Sequence, residues 1–300
     1  MNIVLSAWQR FAPNRLLIFF RLLLEPKRLK ARRKDVLEYY RAQNPITLNP
    51  EIQEGLKYLK YHKYSPFPYK WTQKYDNLLT DVHRDENYNR YYIRFEGKRM
   101  YFPGRFTKNQ VIWAARSMYK EQDNSSPHLY ITPDFKVEPG SIVIDAGVAE
   151  GNFGLAVVEK VKRLFLIECD PEWMEAIKLT FAPWKEKVVF IEKFMSDTAS
   201  ETTTSIDSLI YPEANEKYFI KMDIEGLEQK ALAGMKNLVN SGNPVKMNVC
   251  TYHQPDAFNE IEAIVKGYGF RYQASDGYVL FFQPGEKPSF RKVLLRAEKQ

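Results

Sequence analysis

Residues 142–154 read Ile-Val-Ile-Asp-Ala-Gly-Val-Ala-Glu-Gly-Asn-Phe-Gly. A β-branched apolar run that stops at Asp145 and gives way to spaced glycines describes a buried strand, a tight turn and the start of a helix. Strand ends and free helix amides converge at such a junction, where α/β folds hold nucleotide-like ligands. From here short apolar runs alternate with amphipathic segments. Strands are expected at 142–145, 164–168, 187–191, 218–223 and 245–250, and helices at 152–161, 172–182, 226–239 and 256–267. That alternation builds a parallel sheet covered on both faces. The pair 269–274 and 278–283 flanks Asp276-Gly277, which predicts an antiparallel hairpin closing the sheet.

Ahead of this core the pattern is less regular. Residues 35–62 carry helical apolar spacing broken at Asn44-Pro45, and 63–85 read as a loop-rich linker. Residues 91–103 place β-rich runs on either side of Glu96-Gly97-Lys98, a hairpin signature. Thr107 then suits the cap of a helix whose apolar face holds Val111, Ile112, Ala115, Met118 and Tyr119. The expected organisation is a basic, mostly helical extension at 1–62, a linker, hairpin and helix capping the core at 63–137, the α/β core at 138–285 and a basic tail at 286–300.

Charge excludes one class of partner. Of 44 Lys and Arg residues ten fall within residues 1–41, against three of the 37 acids, so the whole surplus of +7 sits there. The rest is neutral, and a nucleic-acid groove across the core is not supported. Residues 16–24 form an apolar run broken by Arg21, too short to span a bilayer, which takes ~20 apolar residues. With the cations at 27–34 the run suits either a helix on the protein's own core or peripheral contact with an anionic membrane surface. Cys169 and Cys250 lie in apolar strand patterns and make no CxxC pair, so a reducing, cytoplasmic setting is expected and no structural zinc site. Oligomeric state is not legible.

Several residues are candidates for ligand chemistry. Gly147 and Gly151 let backbone pass close to a ligand. Asp145 and Glu150 bring acids to the turn, awkward beside a pyrophosphate and suited to a sulfonium or ammonium. Glu168 follows Asp145 at roughly the ~20-residue offset from which an acid takes ribose hydroxyls. Asp197, after the third strand, is placed to accept from an adenine amino group. Asp223 closes the fourth strand with Glu225-Gly226 beyond it, and His253 follows the fifth, so both face the ligand edge. Tyr119, Glu121, Gln122, His128 and Tyr130 precede the first core strand, where a lid over a cofactor could originate.

The runs Val-Ile-Asp-Ala-Gly-Val-Ala-Glu-Gly-Asn-Phe, Leu-Ile-Glu-Cys-Asp, Thr-Ser-Ile-Asp at 204–207 and Ile-Lys-Met-Asp-Ile-Glu-Gly together resemble the FkbM-type methyltransferase family over about residues 138–283. Lys221 to Gly226 is the most specific part. The resemblance implies the class I methyltransferase fold, a Rossmann-like seven-stranded sheet whose last strand is antiparallel. It also implies S-adenosylmethionine as donor, and a hydroxyl on a glycan or other small molecule as acceptor. Members often carry a His-Pro element after the fifth strand; this chain has His253-Gln254-Pro255.

On this reading Asp145, Gly147, Glu150, Gly151 and Glu168 hold the donor, with Asp197 at the adenine, and His253 or Asp223 removes the acceptor's proton. Asp223, Glu225 and His253 would also suit a divalent cation, but two carboxylates and one imidazole do not assign one. Two alternatives use the same residues: a nicotinamide-dependent oxidoreductase, and a non-catalytic membrane-associated binding protein on a methyltransferase fold. Glu150, the missing first glycine of the dinucleotide fingerprint and the closing hairpin weigh against the first.

Overall fold

The computed structural model describes residues 26–43, 48–281 and 286–300. The apolar run at 16–24, the break at Asn44-Pro45 and the end of the expected 278–283 strand lie wholly or partly outside them. Two helices come first, α1 (Pro26–Arg41) and α2 (Pro50–Tyr61), the second capped by Asn49. They bury Val36, Tyr40, Tyr58 and Leu59 around Leu280. A three-stranded antiparallel sheet follows, β1 (Val82–Asp85), β2 (Arg90–Phe95) and β3 (Lys98–Tyr101). The β2–β3 hairpin turns at Glu96 and Gly97, both at positive φ, while β1 lies within the stretch expected as linker. Thr107 and Gln110 form a reciprocal capping box that starts α3 (Lys108–Glu121).

The core then runs β4 (Ile142–Ala146), α4 (Asn152–Val157), β5 (Arg163–Ile167), α5 (Pro171–Thr180), β6 (Val188–Ile191), the short parallel pair β7 (Phe194–Met195) and β8 (Thr203–Thr204), and α6 (Ile206–Leu209). It continues through β9 (Tyr218–Met222), α7 (Glu228–Ala233), α8 (Lys236–Val239), β10 (Val245–Cys250), α9 (Ala257–Gly267), β11 (Arg271–Ala274), β12 (Val279–Phe281), β13 (Ser289–Arg291) and β14 (Leu294–Lys299). Seven strands form one sheet in the order β11-β14-β10-β9-β4-β5-β6. Alternate strand residues feed two apolar clusters: Val143, Leu164 and Phe219 pack into one, Ile144, Phe165 and Ile220 into the other. Burial on both faces explains why these strands read as unbroken apolar runs.

The sheet is the class I methyltransferase sheet that the motifs imply, with β14 its antiparallel strand. The closing pair differs from the expected hairpin. The Asp276-Gly277 turn forms, with Gly277 at φ 89°, but it leads to β12, which pairs with β13 in a separate two-strand sheet. The partner of β11 is β14, which also pairs antiparallel with β10. Residues 286–300 are therefore not a tail. Their charges masked an inner strand whose Leu294, Leu295 and Ala297 are fully buried.

The cap is fixed to the core through β3, where the Tyr101 amide donates to Thr180 Oγ1 of α5 at 2.9 Å. No described helix is long and apolar enough to cross a membrane. Deleting residues 294–300 is expected to abolish the cooperative thermal transition, because β11 would lose the strand that joins it to the sheet and β10 one of its two neighbours. A dispensable tail would leave the transition unchanged.

Candidate active site

The sequence pairs β4 with β9 so that Asp145 lies opposite Lys221. Both are buried, and Lys221 Nζ lies 3.1 Å from the Asp145 carboxylate. The ammonium also donates to the carbonyls of Ala146 at 3.4 Å and Gly147 at 2.5 Å. Burial opposes its charge, but Asp145 and Asp223 outweigh that and hold its pKa above the ordinary lysine value. The specific Lys221–Gly226 segment thus begins with a residue that braces the glycine turn from below. Asp145, expected to meet the donor, is enclosed with this ammonium instead.

Gly147 has φ 77°, and a Cβ there would lie 1.9 Å from the Asp223 carbonyl oxygen. The Asp223 amide in turn donates to the Ala146 carbonyl at 3.1 Å. The glycine is therefore demanded by the close approach of the chain's own backbone. Gly151, at φ 82°, starts α4 with the Phe181 ring 3.0 Å from the position of a Cβ. Between them Ala149 also adopts positive φ, and Glu150 is half-buried. Glu168, after β5, accepts from the amides of Ala149 at 3.1 Å and Asp170 at 2.9 Å. Burial pushes its carboxyl above the usual range, against those two backbone donors. A carboxylate so held, with Glu150 on the turn, suits a ligand carrying ribose hydroxyls and positive charge, as S-adenosylmethionine does.

Beyond β9 the Asp223 carboxylate sits among four side chains. Tyr130 donates to Oδ2 at 2.7 Å and Tyr252 to Oδ1 at 3.3 Å. His253 Nε2 lies 3.3 Å from Oδ1, and His128 Nε2 3.6 Å from Oδ2. His253 Nδ1 meets Glu228 Oε1 at 2.8 Å, and Glu225 Oε2 lies 3.7 Å from Nε2. Burial alone would lower the pKa of His253; Glu228, Glu225 and Asp223 overcome it and raise the value to about 10. That surrounding of carboxylates favours the protonated imidazole. Glu228 is locked as well, accepting from the Ile224 amide at 3.1 Å. The turn between them is strained, with Glu225 at φ 57° and Gly226 at φ 97°.

The segment at 128–130 is held from three elements. Gln122 donates to the His128 carbonyl and accepts from the Tyr130 amide, each at 3.2 Å. Asn248 of β10 donates to the Tyr130 carbonyl at 2.7 Å, and Arg296 of β14 to the Leu129 carbonyl at 2.6 Å. His128 and Tyr130 are buried constituents of the site, where the sequence suggested an origin for a lid. Arg291 of β13 donates to the carbonyls of Tyr252 at 2.8 Å and His253 at 3.1 Å.

Among the described residues the ligating atoms of His128, Asp223 and Cys250 lie within 4.8 Å of one another. The Tyr252 hydroxyl, 3.2 Å from His128 Nε2 and 3.3 Å from Asp223, links two of them by hydrogen bonds without needing a cation.

The structure thus gathers Gly147, Glu150, Gly151 and Glu168 at one turn, with Asp223 and His253 directly beside it. Asp197 is exposed, accepts from Ser196 at 3.0 Å, and packs its Cα against Gly234. Sequence reasoning missed Glu228 and Tyr252, and Tyr252 was findable as the residue beside a strand-end histidine. Asp207 of the Thr-Ser-Ile-Asp run caps α8 through the amides of Asn237 and Leu238.

The profile of the Methyltransferase FkbM domain matches residues 101–272, more than half of the chain. No curated protein matches it. Among solved structures the methyltransferase FkbM from Methylobacillus flagellatus KT is 16% identical with a TM-score of 0.40, covering 63% of this chain and 54% of that one. The present chain thus spans about half the length of that protein. Precorrin-6y C5,15-methyltransferase from Geobacter metallireducens GS-15 is 14% identical with a TM-score of 0.39, covering 67% of this chain and 95% of that one. A SAM-dependent methyltransferase from Aquifex aeolicus is 15% identical with a TM-score of 0.36, covering 61% and 97%.

The His253 cluster carries a pH signature. A histidine whose folded pKa is raised to about 10 contributes stability that is full below its unfolded value, about 6.5, and lost as pH rises through 10. Stability measured by urea unfolding is expected to fall across that window. In Glu228→Gln the fall should shrink and the imidazole pKa, followed by NMR, should drop.

Proposed function

This chain belongs to the FkbM methyltransferase family and uses S-adenosylmethionine, and on that premise we propose that it methylates a hydroxyl oxygen of a glycan. The donor supplies a methyl on a sulfonium whose leaving group is a neutral thioether, so it needs little activation. The acceptor is the harder half: an alcohol must be aligned behind the methyl and relieved of its proton.

The observation that carries the reading is Asp223. Its backbone is joined to the glycine turn through Ala146 and Gly147, so its carboxylate stands beside the donor loop. His253, held protonated, leaves the carboxylate as the proton acceptor and favours its charged state. Tyr130 and Tyr252 fix the orientation of its two oxygens. Glu168 and Glu150 would hold the donor together with Gly147 and Gly151. Asp145 acts through Lys221 as a positioning residue.

Asp223→Asn is expected to lower kcat by ~10²–10⁴-fold, the usual worth of a general base, while S-adenosylhomocysteine binding by calorimetry is unchanged. Glu168→Ala should lose that binding. An Asp223→Asn enzyme that still transfers label from S-adenosylmethionine to a cell-envelope extract at the wild-type rate would overturn the assignment.

The basic N-terminal segment supports a second, peripheral role. Helix α1 exposes Lys27, Arg28, Lys30 and Lys34 directly after the apolar run. Each cation near an anionic surface is worth ~1 kcal/mol. Co-sedimentation with phosphatidylglycerol vesicles should be strong at low salt and fade as salt rises. Vesicles of phosphatidylcholine alone should not bind.

A further inference from the structure

A cavity of about 860 Å³ opens between the N-terminal helices, α3 and the core. We propose that it is the acceptor subsite and that its occupant is an oligosaccharide, an assignment that rests on the methyltransferase reading and says where the glycan lies. Its connection to the chemistry is Tyr252. The tyrosine lines the cavity, and its hydroxyl donates to the Asp223 carboxylate at 3.3 Å. Tyr252 is thus the residue shared by the cavity wall and the Asp223 cluster.

The lining favours sugar over other occupants. Tyr61, His62, Trp113 and Tyr252 contribute aromatic side chains to the wall, and the apolar C–H face of a pyranose packs on walls of that kind. Planar polar groups stand among them: Gln73 Nε2 lies 3.0 Å from His62 Nδ1, and Asn77 also reaches the cavity. Aromatic walls with a few fixed polar groups are what a ligand of many hydroxyls and modest apolar area requires. Of the cations in the lining, Lys120 is shared with Asp76 at 3.5 Å, while Arg32 and Lys63 also reach the cavity, so an acidic sugar fits it as well as a neutral one. The volume lies within the ~300–1,000 Å³ range of pockets that enclose drug-sized ligands, so it fits several sugar rings better than one.

Tyr61 is 66% exposed at the rim, so removing its ring costs the core little. Trp113 is half-buried on α3. The test uses the full chain with S-adenosylhomocysteine present, probed first on an array of tagged oligosaccharides and then by calorimetry with the strongest binder. Trp113→Ala and Tyr61→Ala should each weaken that binding, by about tenfold for the tryptophan, as loss of ~1.4 kcal/mol implies. Trp113→Phe should retain most of it. In turnover the same changes should raise KM far more than they lower kcat. The component monosaccharides should bind at least an order of magnitude more weakly.

Absence of any oligosaccharide binding to a chain that binds S-adenosylhomocysteine would overturn the subsite and leave the methyltransferase reading standing. Unchanged affinity in both Trp113→Ala and Tyr61→Ala would also overturn it. Failure of S-adenosylhomocysteine to bind the wild-type chain would instead strike at the donor site.

Discussion

Lys221 is the contact on which the rest of the site depends. One buried ammonium meets the Asp145 carboxylate and two backbone carbonyls of the turn after β4, while Asp223 two residues on adds a further acid. A charge in that position would be costly without partners, and removing Asp145 would leave the ammonium buried without the carboxylate it pairs with. The arrangement therefore couples the donor turn to the acid at the end of β9. The absent Cβ at Gly147 completes the coupling, since it lets the Asp223 carbonyl occupy the space a side chain would need.

The second layer of organisation comes from the far end of the chain. Arg291 and Arg296, on β13 and β14, hold the carbonyls of Tyr252, His253 and Leu129. Side chains from β9, β10 and the 128–130 segment thus converge on Asp223 only because strands at the C-terminal end anchor their backbones. Both arginines lie in the stretch whose composition suggested a tail. A stretch with cations at Lys287, Arg291, Lys292, Arg296 and Lys299 looks solvated in sequence; here the guanidinium groups of Arg291 and Arg296 reach backbone carbonyls of the site.

Much of the architecture was legible because burial on both faces leaves an unmistakable mark. The five parallel strands and their helices follow from apolar runs of the right length, and the antiparallel close followed from the family motifs. Pairing around Asp276-Gly277 was not legible. A turn signal specifies the turn and says nothing about which sheet the second strand joins, and β12 joins β13. The strand-turn-helix was legible from its glycines, and the structure adds a reason the sequence does not carry: Gly147 makes room for the Asp223 backbone. Asp145 was read as a ligand because strand-end acids face the crevice, whereas register opposite Lys221 turns it inward.

The choice between His253 and Asp223 as base shows what three-dimensional context adds. From sequence both sit at strand ends and either could take a proton. Glu228 distinguishes them, because it opens α7 with its carboxylate on His253 Nδ1 and on the Ile224 amide. With Glu225 and Asp223 on the other side, the imidazole gains more from charge than burial removes. A histidine surrounded in this way stabilises a neighbouring carboxylate and orients it. On the proposed reading, a histidine that keeps its proton leaves Asp223 as the group of the pair with a lone pair to offer an acceptor hydroxyl.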